Sequence, residues 1–212
     1  MLLTGHLPAT IRRYAARLVL PALCALLLAA CAGPLQTPPA DDGLRRAAET
    51  QAERLGAEGE HRAAARAWLN LAEAAPAHRQ RYQILAAREQ QRAGLLAEAR
   101  ALLGQTPLPI QPANRLLWAE VAARILLAND EPARALAELQ QVPEQAGPRE
   151  IATLLGLRAE AQFALRQPAA AVGTLIERET WLSDRESITG NRQRIVDGLA
   201  ATAAALDAGQ LQ

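Results

Sequence analysis

The stretch Leu28-Ala29-Ala30-Cys31 places a thiol directly behind two small residues at the end of an oily run. A cysteine reacts through its thiolate, and the narrow alanines leave room for a peptidase beside it. A thiol in that setting could become a point of covalent attachment once the chain is cut beside it. The other reactive side chains are scattered. His61 and His78 do not form a metal-type pair, and both read as surface residues at helix starts. The two serines, Ser183 and Ser187, lie outside any G-x-S-x-G setting. The chain contains no lysine, so a G-x-x-x-x-G-K-[ST] phosphate loop is excluded. Glu177 and Glu179 are two apart and diverge on a helix. Trp68, Trp118 and Trp181 sit at helical spacing and are expected in the core. No catalytic constellation, cofactor site or metal site emerges, and a non-enzymatic chain is expected.

The elements before Cys31 give the cysteine its meaning. Arg12, Arg13 and Arg17 precede an apolar run over residues 18–28. Eleven residues are too few for a membrane span, which needs roughly 20, and Pro21 interrupts them. This layout resembles a bacterial lipoprotein signal with Leu28, Ala29, Ala30 and Cys31 as its lipobox. The resemblance implies cleavage before Cys31, a diacylglyceryl thioether on its sulfur and acylation of the new amino group. The alternative is an ordinary secretory signal with a chance cysteine. Several acyl chains together hold a protein nearly permanently, each buried methylene adding about 0.8 kcal/mol. Lipoproteins with Asp after the cysteine tend to stay at the inner membrane; here that residue is Ala32. The resemblance therefore implies a lipid anchor at the periplasmic face of the outer membrane.

Removal of residues 1–30 would leave 20 basic and 22 acidic side chains, which gives no support for nucleic-acid binding. Cys24 would leave with the signal and Cys31 would be lipidated, so no intrachain disulfide or cysteine metal framework is expected. Half the residues are hydrophobic but only 3% are aromatic. A core dominated by Ala and Leu suits closely approaching helices, and an all-α fold is expected. Residues 32–42, with Pro34, Pro38 and Pro39, read as a linker reaching about 40 Å at full extension. The expected organisation is a signal over 1–30, the lipidated cysteine and linker over 31–43, a helical domain over 44–206 and a frayed tail over 207–212.

The helical domain is punctuated at regular intervals. A turn residue followed five places later by a small one recurs as Gly59 and Ala64, Gly94 and Ala99, Asp130 and Ala135, and in weaker form Gln167 and Val172. Four places further lie Trp68, Leu103, Leu139 and Ile176, one turn along the same face. Ala86, Ala122 and Ala159 stand eight before the turn, with Tyr82, Trp118 and Leu155 twelve before it. Pro112, Pro132, Pro148 and Pro168 sit where a first helical turn tolerates a missing N–H. Helices are expected over 44–57, 61–75, 77–92, 95–104, 113–128, 132–141, 149–166, 169–181 and 184–206. The period resembles tetratricopeptide-like repeats. That resemblance implies a right-handed solenoid of helical hairpins with about four repeats. A capping helix would present Arg185, Arg192, Arg194 and Asp197 outward. Arg79, Arg88, Arg115, Arg124 and Arg158 fall on or near first helices of the hairpins and are candidates for a partner-facing surface.

Three stretches narrow the resemblance. They are Ile84-Leu85-Ala86-Ala87 running on through Gly94 to Leu103, Leu157-Arg158-Ala159-Glu160-Ala161 followed by Leu165-Arg166-Gln167-Pro168, and Asn191-Arg192-Gln193-Arg194-Ile195 with Leu199. Together they resemble the N-terminal domain of the LpoA family, outer-membrane lipoprotein activators of penicillin-binding proteins. Val196 stands where the family usually has Trp. The family's second domain, similar to type I periplasmic binding proteins, is not expected within these residues. The resemblance implies a regulator of peptidoglycan synthesis whose partners are a class A penicillin-binding protein and peptidoglycan, with membrane lipid engaged through Cys31. A generic tetratricopeptide scaffold for outer-membrane protein or pilus assembly is the alternative.

Overall fold

The computed structural model describes residues 41–140 and 146–207. The chain divides into two compact units, Met1–Leu44 and Arg45–Gln212. Of the first, residues 41–44 are described and form the opening turn of a helix. That helix therefore begins inside the expected linker, taking in Asp41, Asp42 and Gly43. The described residues form nine α-helices and no strand: α1 Asp41–Ala57, α2 His61–Ala74, α3 Arg79–Arg92, α4 Leu96–Gln105, α5 Pro112–Ala128, α6 Pro132–Gln140, α7 Pro148–Ala164, α8 Pro168–Glu179 and α9 Arg185–Asp207. A 3-10 turn, Pro76–His78, joins α2 to α3. The prolines open α5, α6, α7 and α8 as their missing N–H allows.

Four of the helix reversals, those after α1, α3, α5 and α7, share one backbone device. Gly59, Gly94, Asp130 and Arg166 have φ of +84°, +76°, +58° and +58°. At each, the following N–H reaches back five residues: Glu60 to Leu55, Leu95 to Gln90, Glu131 to Leu126 and Gln167 to Gln162, all at 2.9 Å. This is the Schellman pattern, which gives the last helical carbonyls a donor. The fourth turn residue is therefore Arg166, not Gln167. The whole fourth copy shifts by one with it. Ala64, Ala99, Ala135 and Ala171 are all fully buried five places after the turn. Trp68, Leu103, Leu139 and Leu175 follow one helical turn later and are buried, whereas Ile176 is 56% exposed. Seven places before the turn stand Ala52, Ala87, Ala123 and Ala159, also fully buried. Alanine at both positions lets consecutive helices approach closely, and the large residue fills the space beyond.

From α2 to α9 each helix packs on the next in sequence, and α3, α5 and α7 also pack on one another in series. Trp68 stacks on Tyr82 at 5.7 Å within the core between α2 and α3. Of the other tryptophans, Trp118 is half-buried beside α4, and Trp181 is 39% exposed just beyond α8. The expectation of three core tryptophans fails for Trp181, because it lies past the helix end and outside its buried stripe. The outer face of α9 also departs from expectation. Asn191, Ile195, Gly198 and Thr202 turn inward, which leaves Val196, Leu199 and Leu206 exposed alongside Arg192 and Asp197. Of the expected frayed tail over 207–212, Asp207 instead closes α9, and residues 208–212 lie outside the described residues.

Candidate functional site

The series α3, α5 and α7 forms one side of a groove of about 670 Å³. Its apolar lining comes from Leu85, Leu116, Leu117 and Leu154, spaced so that each helix contributes the same face. Arg81 and Arg88 stand on α3, Glu120 on α5 and Glu150 on α7. The groove is thus cationic at α3 and anionic toward α7. Arg81 and Glu150 are exposed and make no hydrogen bond or ion pair among the described residues. An apolar floor with charges of opposite sign at its two ends suits a polypeptide segment and would orient it.

Of the five candidate arginines, the groove receives Arg88, whose Nε donates to Glu89 at 3.0 Å. Arg79 is exposed and its Nε donates to the Ala72 carbonyl at 3.4 Å, closing the end of α2. Arg124 is committed to Glu120, one turn earlier, at 3.0 Å. Arg115 is buried with its guanidinium 5.2 Å from the centre of the Trp118 ring, and Arg158 is half-buried with an Nε shielded from solvent. Arg115 and Arg158 therefore do not belong to an open partner surface. The groove-lining residues of α5 follow the stripe 113, 116, 117 and 120, and Arg115 falls off that stripe. Arg81 and Glu150 were missed; a helical wheel anchored on Leu85 and Leu154 would have found them.

A buried carboxylate and a partly buried guanidinium tie the helices that frame the groove. Glu89 is 1% exposed; its carboxylate accepts from Arg88 and, at 3.2 Å, from Arg92, and lies 2.9 Å from His61 Nδ1. His61, expected as a surface residue, thus joins α2 to α3. Gly56 leaves the room: a Cβ there would sit 3.2 Å from the Glu89 carboxylate. At the other end Arg178 donates from Nε to the Ala152 carbonyl at 2.8 Å and from Nη1 to Asn191 at 2.9 Å. Burial, and then the nearby charge of Arg194, push the Arg178 guanidinium below its ordinary range. Asn191, 1% exposed, in turn donates to the Leu175 carbonyl at 2.8 Å, so α7, α8 and α9 are joined through one side-chain pair. Near α1, Tyr82 donates its hydroxyl proton to Glu49, which also accepts from Arg45 at 2.7 Å. Burial, and then the Glu49 bond, hold the Tyr82 hydroxyl above its ordinary value.

Cys31 and the residues Leu28, Ala29 and Ala30 lie outside the described residues. Among the described residues no cluster of three His, Cys, Asp or Glu could hold a metal, and no helix is long and apolar enough to cross a membrane. Neither a family model, nor a curated protein, nor a solved structure matches the chain.

Proposed function

We propose that the chain is a non-enzymatic lipoprotein of the outer membrane, anchored through Cys31 with its helices in the periplasm. Its helices form a tetratricopeptide-like right-handed solenoid of about four hairpins closed by α9. The fourfold recurrence of turn, small residue and large residue supports that reading, as does the packing of α3 on α5 and α5 on α7. By its resemblance to the N-terminal LpoA domain, it regulates peptidoglycan synthesis by engaging a class A penicillin-binding protein. The groove with opposite charges at its ends is the observation that carries this reading. Binding energy, not bond chemistry, is the means: engagement favours the synthase conformation that it fits best.

The experiment has two arms. Labelling of cells with a palmitate analogue should mark the chain and should fail for Cys31→Ser; equal labelling of both would refute the anchor. Purified full chain in detergent should capture a purified class A penicillin-binding protein, and absence of capture would refute the partner.

A further inference from the structure

A second cleft, of about 630 Å³, opens where the start of α7, the end of α8 and the start of α9 meet. It shares Glu150 with the groove but differs from it in character. Its aromatic surface is Trp181, 39% exposed, beside the apolar side chains of Pro148, Ala152 and Leu182. Around that indole the chain gathers hydroxyl, carboxylate and guanidinium groups. Ser183 and Ser187 are the only serines in all 212 residues, and both line this one cleft. Asp184 Oδ1 accepts the Ser187 N–H at 2.7 Å. That bond holds the loop after Trp181 against the first turn of α9. Arg149 is exposed, and its guanidinium makes no hydrogen bond or ion pair among the described residues.

A flat aromatic surface rimmed by hydrogen-bonding groups matches one ligand chemistry well. A pyranose ring presents a face of C–H bonds to an indole and a rim of hydroxyls to neighbouring donors and acceptors. The volume lies within the range of small-ligand sites, roughly 300–1,000 Å³. We propose that this cleft binds a pyranose saccharide, with Trp181 as the stacking surface and Arg149, Ser183 and Asp184 as the groups that fix its hydroxyls. The proposal does not depend on the groove or on its partner.

Titration of the full chain with chitotetraose, cellotetraose and tetragalacturonate, followed by tryptophan fluorescence, tests it. At least one sugar should shift the emission, and the three arms separate N-acetylated, neutral and acidic rings. Trp181→Ala should abolish the shift and weaken binding, read by calorimetry, by about tenfold or more. Arg149→Ala, an exposed change far from the core, should weaken it several-fold while leaving the thermal midpoint unchanged. No response to any of the three sugars would overturn the proposal, as would a response that survives Trp181→Ala. Neither variant alters a residue lining the groove, so synthase capture should stay intact in both.

Discussion

The two ends of the helix series solve the same problem with opposite charges. At α1 to α3 a buried anion, Glu89, is met by the guanidinium groups of Arg88 and Arg92 and by the His61 ring from α2, and Gly56 leaves room for it. At α7 to α9 a partly buried cation, Arg178, hydrogen-bonds only neutral dipoles among the described residues, the Ala152 carbonyl and the Asn191 amide, with the Asp184 carboxylate a lesser influence, and Gly156 leaves room with a Cβ position 3.1 Å from Nε. The anion is matched by opposite charge. The cation is matched by geometry, since a carbonyl and an amide must point at it to compensate burial. The N-terminal junction should therefore respond most to loss of charge, and the C-terminal one to small errors of packing.

The largest effect is expected from Glu89→Ala. Loss of one member of a buried ion pair costs about 3–5 kcal/mol when the survivors stay buried. His61, Arg88 and Arg92 keep 26%, 24% and 45% of their side-chain surface in water, which reduces the expected loss to about 2–3 kcal/mol. At about 2–4 °C per kcal/mol for a chain of this size, the thermal midpoint should fall by roughly 4–12 °C. Asn191→Ala should come next. It strips partners from Arg178 Nη1 and the Leu175 carbonyl, at about 2 kcal/mol by denaturant unfolding. If the two variants reversed in order, the contrast between charge and geometry would be wrong.

Gly198→Ala sharpens the same contrast. A Cβ at Gly198 would lie 2.6 Å from Val172 and 2.9 Å from the Phe163 ring. Overpacking of about 1–3 kcal/mol then exceeds the helix gain of about 1 kcal/mol that alanine brings, leaving a net loss of about 1 kcal/mol. A stabilised variant would mean that α9 is free to move outward. The smallest effect is electrostatic. The Ser187 backbone N–H, followed by its side chain, holds the Asp184 carboxyl below its ordinary value. A lowered folded-state value adds stability that is complete above the unfolded carboxylate range and is lost as pH falls through the folded value. Asp184→Ala should therefore lower the thermal midpoint at neutral pH, and the difference should shrink at about pH 3. A difference independent of pH would assign Asp184 a purely steric role.

Much of the fold was legible in the sequence because turns and small residues follow a period. The helix limits agree to within about three residues. The fourth copy was misread by one position because Arg166, a poor left-handed residue, occupies the turn, while the polar Gln167 beside it looks more like a turn residue. The cap's apolar outer face was hidden for a related reason. Only the packing shows that Asn191 and Gly198 are the inward residues of α9. The groove was less legible than the fold. Arginine marks an exposed face poorly, because its long stem can fold over Trp118 as Arg115 does or reach back to a carbonyl as Arg79 does. The buried Glu89 gave no sequence signal, since its partners come from two helices and His61 is 28 residues away.

The central claim is that the groove across α3, α5 and α7 is the surface that engages the synthase. Calorimetric titration of the full chain with a purified class A penicillin-binding protein tests it directly, with two exposed groove residues altered in turn. Ala113→Trp fills the groove, and Arg81→Glu reverses its unpaired cation. Each should weaken binding by about tenfold or more, while Arg192→Glu on the outer face of α9 should leave it unchanged. Equal affinity for all four proteins, or no binding by the unaltered chain, would contradict the account.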